Sequence, residues 1–202
     1  MTNCLRFKKD VQINVKKASE SNRNDIALCI AGGFEKDFNV LCKDTKKVAN
    51  AISSGIQTEK FYVAEADNKI VGVLAISDKN GRAVLTDKSA YIKEFGFLKG
   101  NLAKLVLKEE FEQPLDYPET TGYLEFVAVR NDYKRKGVAT AMIKSSMILA
   151  GYNEYVLDVT DVNESAIKLY TKIGFKEFKR IKEKHGKQKG FNEKIYMKYL
   201  NF

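Results

Sequence analysis

A cationic loop lies between a strand-like run and a helix-like run, and its residue types suit the holding of an anion. Tyr123 to Val129 is aromatic and β-branched, the composition of a strand. Arg130 to Lys136 is polar, with Lys134, Arg135 and Lys136 in succession. Gly137 then opens a helical pattern that runs through Val138, Ala139 and Thr140 to Ile143. The first N–H groups of a helix have no partner inside it, and the helix dipole adds to their attraction for negative charge. Such a loop points to a phosphate-bearing ligand. Two other phosphate cradles are excluded. Val138 follows Gly137 where the triphosphate loop needs Lys and then Ser or Thr, and the three-glycine dinucleotide fingerprint is missing.

A second segment completes the candidate chemistry. Asn163 to Ile173 carries Ala166, Leu169, Tyr170 and Ile173 at the i, i+3, i+4, i+7 spacing of an amphipathic helix. Asn163 suits its N-cap and Gly174 its left-handed C-cap. On the strand before the loop, Glu125 is the available carboxylate, and strict alternation puts it on the face of Val127 and Val129. His185, the sole histidine, sits among lysines in a polar loop and reads as solvated.

The elements that must position these residues are legible in outline. Gln12 to Val15 reads as a first strand, and Ser21 to Asn24 offers a cap for a helix through Ile30 that Gly32 and Gly33 should break. Asp44 to Ser54 reads as a second helix. Phe61–Ala66 and Ile70–Ile76 around Asp67, Asn68 and Lys69 form a hairpin. Ser89–Phe95 and Leu102–Phe111 are short helical patterns with glycines at 96 and 100 between them. Pro114 and Pro118 mark a loop before the central strand. Tyr155–Val159, Phe175–Ile181 and Lys194–Tyr199 supply further strands, the last two around a polar loop. This order predicts a mixed α/β or α+β sheet.

Composition narrows the function classes. A chain of 202 residues, 44% hydrophobic and 30% charged, fits one globular domain. No apolar run approaches the roughly 20 residues that cross a bilayer, and the first ten residues lack the apolar core of a signal peptide. Cys4, Cys29 and Cys42 form neither a disulfide framework nor a zinc pattern, so a reducing cytoplasm and no metal are expected. The net charge of +9 suggests anionic partners, but lysine outnumbers arginine, the usual residue of bidentate recognition. Neither a specific nucleic-acid partner nor a membrane partner is expected.

The loop and the second segment together resemble the GNAT superfamily of N-acetyltransferases. Gly137 and Ala139 match the R/Q-x-x-G-x-G/A signature, with Lys134 in place of the usual arginine or glutamine. Asn163, Ala166, Leu169, Tyr170, Gly174 and Phe175 match N-x-x-A-x-x-L-Y-x-x-x-G-F. The resemblance covers residues 123 to 175. It implies a mostly antiparallel central sheet flanked by helices, one domain over 1–202 with a core of about 12–200, and a helical insertion over about 80–121 longer than the usual connection. It implies acetyl-CoA as cosubstrate. The amides from Arg135 to Thr140 would cradle its pyrophosphate, the backbone of Val127, Ala128 and Val129 would pair with its pantetheine arm, and Asn163 and Ala166 would help hold it. Tyr170 would return a proton to the leaving sulfur. Dimers are common among such proteins, so a homodimer is an open expectation.

The reaction so implied is direct attack of a small-molecule or peptide amine on the thioester. A primary alkylamine with a pKa near ~10.4 must first lose a proton, and Glu125 is a candidate to accept it. Glu109, Glu110, Glu112, Asp116 and Glu119 could draw a cationic acceptor to the site. Two rival readings stand beside this one: a non-catalytic acyl-CoA-binding regulatory domain, and a nucleic-acid partner for Lys176 to Lys189.

Overall fold

The computed structural model describes residues 12–201. Strand β1, Asn14–Lys17, begins two residues beyond the Gln12 start that the sequence suggests. A 3-10 turn, Glu20–Asn22, leads into helix α1, Arg23–Gly33. Helix α1 ends at the glycine pair, as the sequence predicts, with Gly33 its last residue. Gly33 also permits close packing, because a Cβ there would lie 2.6 Å from that of Ala128. Helix α2, Glu35–Phe38, and helix α3, Thr45–Ser53, follow. Asp44 caps α3 by accepting from the N–H groups of Lys46 and Lys47 at 2.9 and 3.2 Å.

Strands β2, Phe61–Ala66, and β3, Lys69–Ser77, form the expected hairpin. Asp67 and Asn68 turn it with φ of 50° and 57°, the left-handed pair that matches strand twist. Two helices make the insertion: α4, Lys88–Phe95, and α5, Phe97–Phe111. Gly100 lies inside α5 rather than between helices. A Cβ there would meet the backbone of Ile92 at 2.6 Å, so this glycine sets the approach of α5 to α4. The remaining elements are β4, Thr121–Val129; α6, Val138–Ala150; β5, Glu154–Thr160; α7, Glu164–Ile173; β6, Lys176–Lys182; a short α8, Gly186–Lys189, in the polar loop; and β7, Glu193–Leu200.

The strands form one seven-stranded sheet in the order β1-β2-β3-β4-β5-β7-β6. Every neighbouring pair is antiparallel except β4 and β5. Apolar side chains cover both faces. Ile26, Ile30, Val48 and Ile52 of α1 and α3 pack with Phe61, Val63, Val73 and Ala75, and the insertion adds Tyr91, Ala103, Leu107 and Phe111. On the other face, Met142, Ile143 and Met147 of α6 pack with Leu74, Ile76 and Leu124, and Tyr170 of α7 packs with Leu157, Val159, Ile195 and Met197. Fully burying one such side chain stabilises the fold by roughly 1.5–3 kcal/mol. The mixed, mostly antiparallel sheet flanked by helices is therefore as the sequence predicts.

Candidate active site

The parallel pairing in the sheet is short. Thr121, Gly122 and Tyr123 pair with Glu154, Tyr155 and Val156, and beyond them β4 and β5 part. The edge of β4 that faces β5 is unpaired from Leu124 to Val129, so amides and carbonyls there face a gap. Unpaired backbone groups of this kind bind an extended ligand as a strand would.

Strict alternation would place Glu125 with Val127 and Val129. The structure does not, and the cause is a β-bulge. Ala75 pairs with Glu125 and Val73 with Ala128, so Phe126 and Val127 together oppose Leu74. Phe126 takes φ 54° to make the turn. Glu125, Phe126 and Ala128 consequently lie on the α1 side of the sheet, while Leu124, Val127 and Val129 lie on the α6 side.

The loop after β4 has the geometry of an anion cradle. Arg135 and Gly137 both take positive φ, 61° and 82°, which turns the chain sharply into α6. Nothing lies within 4 Å of a Cβ placed on Gly137, so its left-handed backbone, not internal crowding, calls for glycine. The first i to i−4 bond of α6 runs from Ala141 N–H to Gly137 C=O at 3.0 Å. The amides of Val138, Ala139 and Thr140 precede it and have no such acceptor. Lys134, Arg135 and Lys136 are exposed around this terminus. The donors fit a pyrophosphate in kind: unpaired amides, a helix N-terminus and cations.

Helix α7 flanks the same side of the gap. Asn163 accepts from Ala166 N–H at 3.2 Å and Ser165 Oγ at 3.1 Å, a working N-cap. Tyr170 packs edge-on against Phe175, ring centroids 5.9 Å apart, and is buried. Its burial, with Asp158 nearby, raises the phenol pKa above its ordinary value. Among the described residues its hydroxyl takes no hydrogen bond, whereas those of Tyr123, Tyr152 and Tyr155 all do. Val127, Val129, Val138, Ala166 and Tyr170 thus gather in one cluster, and Glu125 stands outside it.

Glu125 is tied up elsewhere. One carboxylate oxygen accepts from Ser77 Oγ and from Ala83 N–H at 3.0 Å; the other accepts from Arg82 Nε at 3.1 Å and Nη2 at 2.5 Å. The guanidinium of Arg82 also donates to Gln113 O and lies 5.5 Å from the ring centre of Tyr123. The pair anchors the insertion to β4.

The carboxylate at the gap is Asp158, which the sequence reading missed. It accepts from the Tyr123 hydroxyl and lies 3.6 Å from Lys194 Nζ. Burial would lower the Lys194 pKa, but Asp158 and Glu110 hold its ammonium above the ordinary range. Burial, then Asp158, likewise raises Tyr123. Tyr117 stacks on Tyr123 at 6.0 Å. A signal was available: Asp158 is the charged residue inside Tyr155–Val159. The acidic group before β4 is largely spent on pairing. Glu110 binds Lys194, Glu112 holds the Thr86 N–H and hydroxyl, and Glu119 binds Lys79.

A sheet that opens between its parallel strands, with an amide cradle beside the opening, defines an α/β fold with a candidate anion-binding cleft. Residues 34–175 match the Acetyltransferase (GNAT) family, and the chain belongs to that family. It is 40% identical over 126 residues to an N-alpha-acetyltransferase of Saccharolobus solfataricus, covering 60% of this chain and 59% of that one. It is 38% identical over 63 residues to N-alpha-acetyltransferase 30 of Xenopus laevis, covering 30% of this chain and 23% of that one. The chain therefore spans less than two thirds of the length of these relatives. A Staphylococcus aureus N-acetyltransferase structure shares the fold with TM-score 0.60 at 18% identity, over 92% of this chain and all of the other.

Proposed function

We propose that this protein is an N-acetyltransferase that moves an acetyl group from acetyl-CoA directly to an amine. The observation that carries this is the gap between β4 and β5, with the amide cradle and Tyr170 on one side and Asp158 on the other. Bound acetyl-CoA supplies the activated acetyl thioester. The amides of Arg135 to Thr140, with Lys134 and Lys136, hold its pyrophosphate. The free edge of β4 at Val127, Ala128 and Val129 aligns its arm, and one amide there donates to the thioester oxygen as it gains charge. Asn163 and Ala166 border the same site.

Asp158 attracts the acceptor ammonium and takes its proton, directly or through water. The freed amine attacks the acetyl carbon, the carbon–sulfur bond breaks, Tyr170 protonates the departing sulfur, and the second proton shed by the new amide nitrogen returns to Tyr170 through water. Its raised pKa keeps that proton in place at neutral pH. Glu125, 8% exposed and held by Arg82, Ser77 and Ala83, positions rather than reacts, whereas Asp158 is 23% exposed and open to an acceptor. The names of the relatives favour an N-terminal α-amine as acceptor. Its pKa near ~7.7–8.0 makes deprotonation far easier than for a lysine-like amine near ~10.4.

The test is free-thiol release from acetyl-CoA across a panel of peptide N-termini, polyamines, amino acids and aminoglycosides. Turnover with peptides supports the reading, and no turnover with any amine refutes it. Replacing Tyr170 by Phe separates the binding-only alternative: coenzyme A affinity should persist while turnover falls by about 10²–10⁴.

A further inference from the structure

Helix α5 of the insertion has two apolar faces. Gly100, Ala103, Leu107 and Phe111 turn inward. At about 100° per residue, Leu98, Leu102 and Leu105 fall on the opposite side. They are 82%, 56% and 71% exposed, and Phe97 and Val106 flank them, also exposed. A surface helix ordinarily carries polar residues there, and a contiguous apolar patch on a surface marks an interaction site. The insertion was also the segment whose length the family pattern left unaccounted for.

Charge selects the partner. Lys104 and Lys108 border the stripe on one side and Lys99 on the other, and Glu109, one turn beyond Leu105, is the one acid on the line of the stripe. Beyond Lys99 lies a surface pocket to which Lys43, Lys47 and Lys99 each contribute, with Val40, Leu41, Cys42 and Phe95 among its apolar lining and Glu94 as its one acid. Among the described residues, none of these three lysines is in an ion pair. A second copy fits poorly: a two-fold contact would bring lysine borders against lysine borders. Five side chains also fall short of the roughly 20–30 residues a side of a standard interface. A bilayer interface asks only for apolar side chains that enter a few ångströms and cations that meet lipid phosphates.

We infer that the outer face of the insertion docks on an anionic lipid bilayer. Phe97, Leu98, Leu102 and Leu105 enter the headgroup boundary, and Lys43, Lys47 and Lys99 meet the phosphates. No helix among the described residues is long and apolar enough to cross a membrane, and peripheral docking needs none. The expectation of no membrane partner is revised on this point. The inference is independent of the reaction, though α5 also carries Glu110, which pairs with Lys194 beside Asp158.

The test is co-sedimentation of the full chain with vesicles of phosphatidylcholine alone, or with a quarter phosphatidylglycerol. Binding should occur on the anionic vesicles and not on the neutral ones. The triple substitution Leu98→Ser, Leu102→Ser, Leu105→Ser should reduce partitioning at least tenfold without changing the thermal melt, since all three face solvent. The triple Lys43→Gln, Lys47→Gln, Lys99→Gln should reduce it by about a hundredfold and flatten its salt dependence. No sedimentation with either vesicle, or equal sedimentation with both, overturns the inference. So does a concentration-dependent dimer in light scattering that the leucine substitutions abolish while vesicle binding is absent.

Discussion

Removing the guanidinium of Arg82 should be among the most destabilising single changes in this chain. Arg82→Met leaves the Glu125 carboxylate facing only Ser77 Oγ and Ala83 N–H, in a site where the two side chains are 13% and 8% exposed. Stranding one partner of a buried ion pair costs about 3–5 kcal/mol, a large share of the roughly 5–15 kcal/mol that holds a domain together. Glu125→Leu strands the guanidinium over Tyr123 and should cost a similar amount. The double variant has no stranded charge. What remains is two donors, Ser77 Oγ and Ala83 N–H, without acceptors, about 1–3 kcal/mol each. The double should therefore cost about 2–6 kcal/mol, well below the roughly 6–10 kcal/mol sum of the singles, a coupling of about 4 kcal/mol at mid-range. Urea unfolding with unchanged slope measures all three. The surface pair Glu164–Lys168, 3.2 Å apart and nearly fully exposed, is the control, worth about 0.3–0.5 kcal/mol. Additive single effects, or an Arg82→Met cost near that of the control, would refute the reasoning.

Asp158→Asn should lower kcat/KM by about a hundredfold or more, with coenzyme A affinity unchanged; steady-state kinetics and calorimetry check both halves. Gly137→Ala places a methyl at φ 82°, so it should cost about 1–2 kcal/mol in a thermal melt and weaken coenzyme A binding as the cradle shifts. Burial raises the Tyr170 pKa, so its donor form persists above the ordinary phenol range near ~10. The kcat profile should show no alkaline fall from this group below that pH; a fall near pH 9 that Tyr170→Phe removes would contradict the assignment.

Local chemistry was legible in the sequence, and pairing was not. The turn at Asp67 and Asn68, the cap at Asn163 and the glycine before α6 each depend on a few adjacent residues, so residue type reveals them. The bulge at Phe126 depends on how β4 meets Leu74. A phenylalanine at positive φ announces nothing in advance, and the one-residue slip reversed the face of Glu125. Gly100 read as a helix breaker because a sequence does not display the neighbour that needs the space. The acids before β4 read as a free patch because their partners, Lys79, Thr86 and Lys194, are distant in the chain.

The brevity of the β4–β5 seam divides the sheet mechanically. Strands β1 to β4 and strands β5, β7 and β6 are two plates bound along one edge by three residue pairs. The outer plate is the looser one, since β6 is exposed along its whole length. An extended ligand in the gap would bridge both plates and supply the missing rungs. Filling the site and stiffening the outer plate would then be a single event, and local opening of β5, β6 and β7 should fall as ligand concentration rises.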